Sequence, residues 1–334
     1  MPQLRQNIIT GEWVVFAPER AKRPTDYISI ATQRKQKKSD CPFCIDSNKS
    51  EFPKKLEGLE KKTTYVLTNK FPAFVEEPDL ENAKLYKIED EFYNMKIALG
   101  GHDVVVVKDH DQDLAKFTGE IWADLIETFI KRYNYFDKID NVEYVMPIYN
   151  HGPQAAASIE HPHAQIFASS VVPNIVSTEL SHTAKYFTDH KSCPFCDMIS
   201  HEKEQNTRVI FEDDDFIALA FYAARFPFEV WVLPKKHQSH FTDLTDQATA
   251  SLSQMMKKVF GRLNETLNDP PLNFFIHSAP VKKDQKEELP NYHWRIEITP
   301  RLSIYGGYEL GAGMVIDIIT PEQAAEYLRL GQKN

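Results

Sequence analysis

The chain carries the same cysteine tetrapeptide twice, as Cys41-Pro42-Phe43-Cys44 and again as Cys193-Pro194-Phe195-Cys196. These tetrapeptides contain all four cysteines of the sequence. An internal copy about half a chain away indicates a duplicated architecture. Paired Cys-x2-Cys elements, with no other cysteine present, favour metal ligation, and redox-active or simply buried thiols are the alternative.

The segments that follow each tetrapeptide support the duplication. In both halves two apolar strand patterns lead to a histidine, which is His110 in the first half and His237 in the second. A helical pattern comes next, with Asp113 or Asp243 as the predicted N-cap, and then a strand, a polar loop and a histidine-bearing strand. The matched segments are 64–67 with 216–219, 104–107 with 229–233, 114–129 with 244–259, 142–148 with 272–276, and 161–167 with 293–299.

The order of these patterns predicts the fold class. Strands outnumber helices and follow one another directly, which favours an antiparallel α+β fold over a doubly wound sheet. A length of 334 residues fits two domains. We place the boundary in the polar stretch 173–191, which predicts an N-terminal half, 1–175, and a C-terminal half, 176–334. Each would be a mainly antiparallel sheet with packed helices and its own zinc site.

Composition and charge exclude several classes of protein. The net charge of −9 gives the protein no positive field that would attract a nucleic acid or an anionic membrane. An apolar leader and long apolar windows are absent from the sequence, so we expect a cytoplasmic protein with no membrane partner. Neither Gly-rich nucleotide-binding fingerprint occurs. An anionic substrate would therefore be held by local groups, for which Arg20 and Arg23 are candidates, while the basic residues 34–38 fit a solvated loop.

Each half offers four ligands for a structural metal ion. A Cys-x2-Cys element supplies two thiolates, and two later histidines complete the tetrahedron that Zn²⁺ prefers. Recurrence of the set in the same order makes the pattern specific. The predicted first zinc site is Cys41, Cys44, His110 and His161, and the predicted second is Cys193, Cys196, His237 and His293.

The element His161-Pro162-His163-Ala164-Gln165 predicts a nucleophile. Alternate residues of a strand face the same way, so His161, His163 and Gln165 would form one row. Pro162 fits an edge strand or a strand start. With His161 fixed to metal, His163 is a candidate nucleophile toward phosphorus, and Gln165 a neutral donor to a phosphoryl oxygen. As alternatives, His163 is a zinc ligand or a buried polar residue.

The equivalent row of the second half, His293, Arg295 and Glu297, lacks a nucleophile because arginine keeps its proton. We therefore predict one covalent site per chain. Arg295 would either contact a phosphate or stabilise the fold through an internal ion pair with Glu297.

Together these motifs resemble the galactose-1-phosphate uridylyltransferase family, a branch of the histidine-triad superfamily with two fused, related halves. The resemblance covers nearly the whole chain, and His-Pro-His-x-Gln is its most specific element. The matching elements are residues 10–13, 20–24, 41–44, 68–72, 109–110, 161–165 and 307–309.

The resemblance implies a double displacement. The middle histidine, here His163, takes a nucleoside monophosphate from an NDP-sugar such as UDP-glucose, releases the sugar 1-phosphate, and passes the nucleotide to a hexose 1-phosphate. It also implies a homodimer, with some substrate contacts made across its interface. By motif matching, Asn150, Ser158 and Gln165 contact the nucleotide phosphates, and Arg20, Arg23, Asn69, Tyr308 and Glu309 bind substrate.

Two differences from the family's motifs leave the identity of the substrate undecided. Many family members have a His-x-His element in an additional metal site where this chain has His293-Trp294-Arg295. The second Cys-Pro-Phe-Cys and Ser158-Ile159-Glu160-His161 resemble instead the branch that contains ADP-glucose phosphorylase, in which inorganic phosphate accepts the nucleotide. The alternatives to the uridylyltransferase activity are thus an NDP-sugar phosphorylase and a zinc-stabilised nucleotide-binding module without catalysis. A zinc-dependent nucleic-acid binder is disfavoured by the charge.

Overall fold

The computed structural model describes residues 1–20, 36–44, 55–77, 92–281 and 288–331, and the elements below lie within these ranges. The strands are β1 (Gln3–Gln6), β2 (Trp13–Phe16), β3 (Thr64–Thr68), β4 (Gly100–Val107), β5 (Tyr144–His151), β6 (His163–Ser169), β7 (Val209–Glu212), β8 (Phe216–Ala220), β9 (Val230–Pro234), β10 (Leu272–His277), β11 (Arg295–Pro300) and β12 (Ile316–Asp317). The helices are α1 (Gly119–Phe136), α2 (Asn174–His190), α3 (Pro194–Gln205), α4 (Asp246–Leu267), α5 (Gly307–Ala312) and α6 (Pro321–Leu330).

One antiparallel sheet of nine strands joins the two halves, in the order β3-β4-β6-β5-β10-β11-β9-β8-β7. The order β3-β4-β6-β5 recurs as β8-β9-β11-β10, and the two sets meet where β5 pairs with β10. The predicted α+β fold of two related, mainly antiparallel halves is confirmed. Because the sheet is continuous, the division into 1–175 and 176–334 stays a prediction.

The two faces of the sheet differ in what they bury. On β6, Ala164 and Ile166 point into the main hydrophobic core, where α1 and α4 pack with Trp122 against Phe260. The alternate β6 residues, His163 and Gln165, therefore project from the opposite face. No helix within the described ranges is long and apolar enough to span a bilayer.

Several predicted boundaries are wrong for identifiable reasons. Thr118 and Thr245 cap α1 and α4, whereas Asp113 caps a short 3-10 turn ahead of α1 and Asp243 lies within another. The polar stretch 173–191, in which we placed the boundary, contains helix α2, whose buried side includes the polar Glu179 and Thr183. A helix that buries polar groups lacks the apolar periodicity on which the prediction relied.

Candidate active site and metal clusters

The predicted first zinc site is assembled in the structure. Sγ of Cys44 lies 3.3 Å from Nδ1 of both His110 and His161, and Sγ of Cys41 lies 3.4 Å from Nδ1 of His161. Ligands of a tetrahedral Zn²⁺ are separated by about 3.3–3.8 Å. The spacing of these side chains therefore fits a single zinc ion.

The outer ring nitrogens support the same interpretation. Nε2 of His161 lies 2.6 Å from the carbonyl oxygen of Val107, and Nε2 of His110 lies 3.0 Å from that of Gln36. A carbonyl only accepts, so each Nε2 carries the proton and each Nδ1 turns a lone pair toward the thiols. Metal-bound histidines are commonly oriented in this way.

A second cluster repeats this arrangement. Sγ of Cys196 lies 3.3 Å from Nδ1 of His237 and 3.8 Å from Nδ1 of His293. The histidine Nε2 atoms donate to the carbonyl oxygens of Leu289 and Pro234. Hydrogen bonds from Cys196 and then from the two histidines lower the pKa of the Cys193 thiol, against the effect of its burial, while the same contact with Cys193 raises the pKa of Cys196. Both clusters could hold a metal ion.

The candidate nucleophile lies at the start of a central strand. Pro162 precedes β6, which confirms the predicted strand start, but β6 lies between β4 and β5, so the edge-strand alternative is wrong. His163 is 8% exposed, and burial lowers its pKa, so the ring is neutral near pH 7. Nδ1 of His163 donates to the backbone carbonyl of His161 over 2.8 Å. The lone pair of this neutral ring is therefore on Nε2, the atom that would attack phosphorus.

The first cluster and His163 are connected through one residue. The Nδ1 atom of His161 belongs to the cluster, and its carbonyl fixes the ring of His163. Phe43, between the two cysteines, also contacts the edge of the His163 ring, with centroids 5.2 Å apart. The cysteine tetrapeptide thus supports the nucleophile as well as the cluster.

His163 lines a cavity of about 310 Å³. The predicted phosphate-contact residues Asn150 and Ser158 line it too. Sequence reasoning missed His151 and Asp269, a pair of cavity residues whose Nε2 and Oδ1 atoms lie 2.7 Å apart. Their pairing joins β5 to the segment before β10, and no sequence motif links them.

Gln165 lines neither the His163 cavity nor a second cavity of about 920 Å³, but it contacts His102, which lines the second cavity together with Asn69. The oxygen Oε1 of Gln165 lies 2.9 Å from Nε2 of His102, and Nδ2 of Asn69 lies 3.0 Å from the same atom. His102 was also missed by the sequence analysis. The sequence signal was a polar His102-Asp103 pair directly before the Val104–107 run.

The remaining predicted substrate residues lie elsewhere. Arg20 ends an exposed 3-10 turn, and Tyr308 and Glu309 lie in α5, where Glu309 accepts a hydrogen bond from the backbone of Gly306. None of the three lines the cavity of His163. Arg23 falls outside the described residues.

Arg295, the counterpart of His163 in the second half, is a buried structural cation. Its Nη2 lies 2.5 Å from Oε1 of Glu179, and its Nε lies 2.8 Å from Oε1 of Glu297. His277 lies 3.6 Å from both carboxylates. Glu297 is confirmed as the internal partner, and Glu179, which was not predicted, is a second one. With the guanidinium bonded to both carboxylates, we interpret this group as an ion-pair cluster.

Comparison with known proteins identifies relatives over the whole chain. The family model "Galactose-1-phosphate uridyl transferase, N-terminal domain" matches residues 1–173, and the corresponding C-terminal domain model matches residues 179–333. ADP-glucose phosphorylase of Arabidopsis thaliana is 34% identical over 98% of this chain and 92% of its own length. Galactose-1-phosphate uridylyltransferase of Thermotoga maritima is 26% identical over 98% of each chain. A crystal structure of the Arabidopsis thaliana ADP-glucose phosphorylase with bound ADP-glucose superimposes with a TM-score of 0.82, at 32% identity and full coverage of both chains.

Proposed function

Because the chain belongs to the galactose-1-phosphate uridyl transferase family, we propose that it moves a nucleoside monophosphate from an NDP-sugar to a phosphate acceptor through a nucleotidyl-His163 intermediate. Nε2 of His163 attacks the α-phosphorus, the bond from that phosphorus to the bridging oxygen breaks, and the sugar 1-phosphate leaves with the electron pair. An oxygen of the acceptor then attacks the same phosphorus, and His163 leaves as the neutral ring.

The observation that carries this proposal is the pairing of His163 with the backbone carbonyl of His161. That bond assigns the proton to Nδ1 and leaves Nε2 as a nucleophile without a prior deprotonation step. Asn150 and Ser158 line the same cavity, which supports them as donors to the phosphates. Asn69 and Gln165 lie beside one another at His102, which supports both as substrate contacts.

We further propose two zinc ions per chain, one in each cluster. A bound zinc ion supplies structural cross-linking there, since all four positions are taken by protein ligands. The ligands themselves fix the segment before β6, because His161 belongs to the first cluster. The second cluster would stabilise the C-terminal half.

Two substrate pairs fit this reaction. A UDP-glucose and hexose 1-phosphate pair would make the protein a uridylyltransferase, whereas ADP-glucose and inorganic phosphate would make it a phosphorylase. The 34% identity with ADP-glucose phosphorylase, against 26% with the Thermotoga maritima uridylyltransferase, favours the phosphorylase alternative. The exposure of Tyr308, and the position of Arg20 and Glu309 outside the His163 cavity, support a homodimer in which these residues complete the partner's site. A cytoplasmic location, and a role for Arg23 in the same site, are proposed from the sequence alone.

The test mixes the protein with UDP-glucose or ADP-glucose, quenches at alkaline pH, and weighs the intact chain. The expected result is a single nucleotide adduct on the wild type, formed with one of the two donors. Adding galactose 1-phosphate or inorganic phosphate before the quench should discharge it and identify the acceptor. His163→Ala should give no adduct, while His201→Ala, a change at an exposed α3 position, should behave as wild type. Nucleotide binding without any adduct would favour the non-catalytic module.

A further inference from the structure

His102 occupies a defined place on the His163 face of the sheet. It lies on β4 directly across from Phe167 of β6, and the two rings stack with centroids 4.0 Å apart and planes inclined by 30°. His102 is 8% exposed. Stacking and burial together hold the ring plane, so its two nitrogen atoms have fixed partners.

Those partners determine which ring nitrogen of His102 carries the proton. The backbone N–H of Ala73 donates to Nδ1 over 3.1 Å, so Nδ1 must offer a lone pair. A neutral imidazole has one ring proton, and it therefore lies on Nε2. Burial lowers the pKa of His102, which keeps the ring in this neutral form near pH 7. Nε2 is thus a hydrogen-bond donor.

A donor at Nε2 determines which of the two neighbouring amide groups forms a hydrogen bond with it. Gln165 turns its Oε1 to Nε2 over 2.9 Å, which is a hydrogen bond. Asn69 has its Nδ2 3.0 Å from the same atom, but its own Oδ1 already accepts from the backbone N–H of Phe71. Two donors do not bond to each other, so the partner of Nε2 is Oε1 of Gln165 and not the amide nitrogen of Asn69.

We propose that His102 is a positioning residue that sets the orientation of the Gln165 amide, so that its NH₂ group is presented to the phosphoryl oxygens of the substrate. The inference rests on the proposed nucleotidyl transfer at His163 and names a residue that would act through Gln165. Without His102, the amide of Gln165 is free to turn its oxygen toward the phosphate. An oxygen there would repel the anion, and the donor that stabilises the transition state would be lost.

Two substitutions separate the donor function of His102 from its packing. Glutamine can place its amide nitrogen where Nε2 stands, so His102→Gln keeps the donor to Gln165 and loses the contact with Ala73. Asparagine reaches only the Nδ1 position, so His102→Asn keeps the Ala73 contact and loses the donor. The readout is the first-turnover rate of His163 labelling, with substrate affinity measured separately.

We expect His102→Asn to slow labelling about tenfold, with little change in affinity, and His102→Gln to stay within about threefold of wild type. Gln165→Ala should slow labelling about 100-fold. His102→Asn combined with Gln165→Ala should then match Gln165→Ala alone, because both changes remove one and the same donor. Equal impairment of the two His102 variants, or additive losses in the double variant, would overturn the proposal.

Nitrogen-15 NMR of the histidine rings and side-chain amides gives a readout independent of turnover. The proposal requires the proton of His102 on Nε2, and a Gln165 amide resonance that shifts in His102→Asn but not in His102→Gln. A ring protonated on Nδ1 would refute the inference even in an active enzyme. Absence of labelling in the wild type would instead refute the proposed function, while the NMR result would still decide the orientation of Gln165.

Discussion

Replacing Arg295 with alanine tests the division of the chain into one reactive and one supporting half. The guanidinium is 1% exposed and bonds to Glu179 and Glu297, which are equally buried. Removing one partner of a buried ion pair leaves an uncompensated charge and typically costs about 3–5 kcal/mol. At roughly 2–4 °C per kcal/mol, the unfolding midpoint should fall by roughly 6–20 °C.

The loss of stability caused by Arg295→Ala should also depend on pH. Although burial opposes ionisation, Arg295 and His277 hold the pKa of Glu297 at about 2 in the folded protein, below its ordinary value of 4.5. The ionised carboxylate of Glu297 therefore stabilises the fold fully above about pH 4.5, and this stabilisation is lost as the pH falls toward 2. Arg295→Ala loses the largest part of this stabilisation, so the difference in midpoint from wild type should shrink below about pH 4.5.

Tryptophan fluorescence is a suitable assay, since the guanidinium carbon lies 4.5 Å from the ring centroid of Trp231. Lys185→Ala, which breaks an exposed ion pair with Asp189, is the matched control and should change stability by less than about 1 kcal/mol. His163 should still be labelled in folded Arg295→Ala, because β5 and β10 separate β11 from β6 in the sheet. A folded variant without labelling, or a midpoint loss no larger than the control's, would refute the reasoning.

Three other outcomes follow from the site. Elemental analysis should find about two zinc equivalents per chain, and zinc-free protein with full activity would contradict the assignment. Cys41→Ser should lower the His163 labelling rate at least about tenfold, whereas Cys193→Ser should mainly lower the unfolding midpoint; equal labelling losses would show that the first cluster has no special connection to His163. His163→Ala should fold, bind zinc as wild type does and form no nucleotide adduct, and turnover at a rate near that of wild type would exclude the covalent route.

Local repetition made much of the architecture predictable. The two Cys-Pro-Phe-Cys copies and the histidines that follow them gave both ligand clusters, since zinc ligands are recognised by residue type and order. Strand periodicity predicted one row of His161, His163 and Gln165. His163 and Gln165 lie on β6, whereas His161 precedes the strand.

Long-range pairing was not predictable in the same way. Helix α2 was missed because Glu179 on its buried side is neutralised by Arg295, which lies 116 positions away in the chain. His102 was missed because its partners Phe167 and Gln165 are set by the register of β4 against β6. The polar His102-Asp103 pair marks the position in the sequence, but no local pattern indicates the partners of His102 or of Glu179.

The most direct test of the central claim is the kinetic competence of the His163 adduct. The protein is labelled with an NDP-sugar that carries isotope at the α-phosphate, freed from donor, and mixed rapidly with the acceptor. The label should map to His163 and pass to the acceptor at least as fast as steady-state turnover. Label on another residue, or discharge slower than turnover, would contradict a nucleotidyl-His163 intermediate.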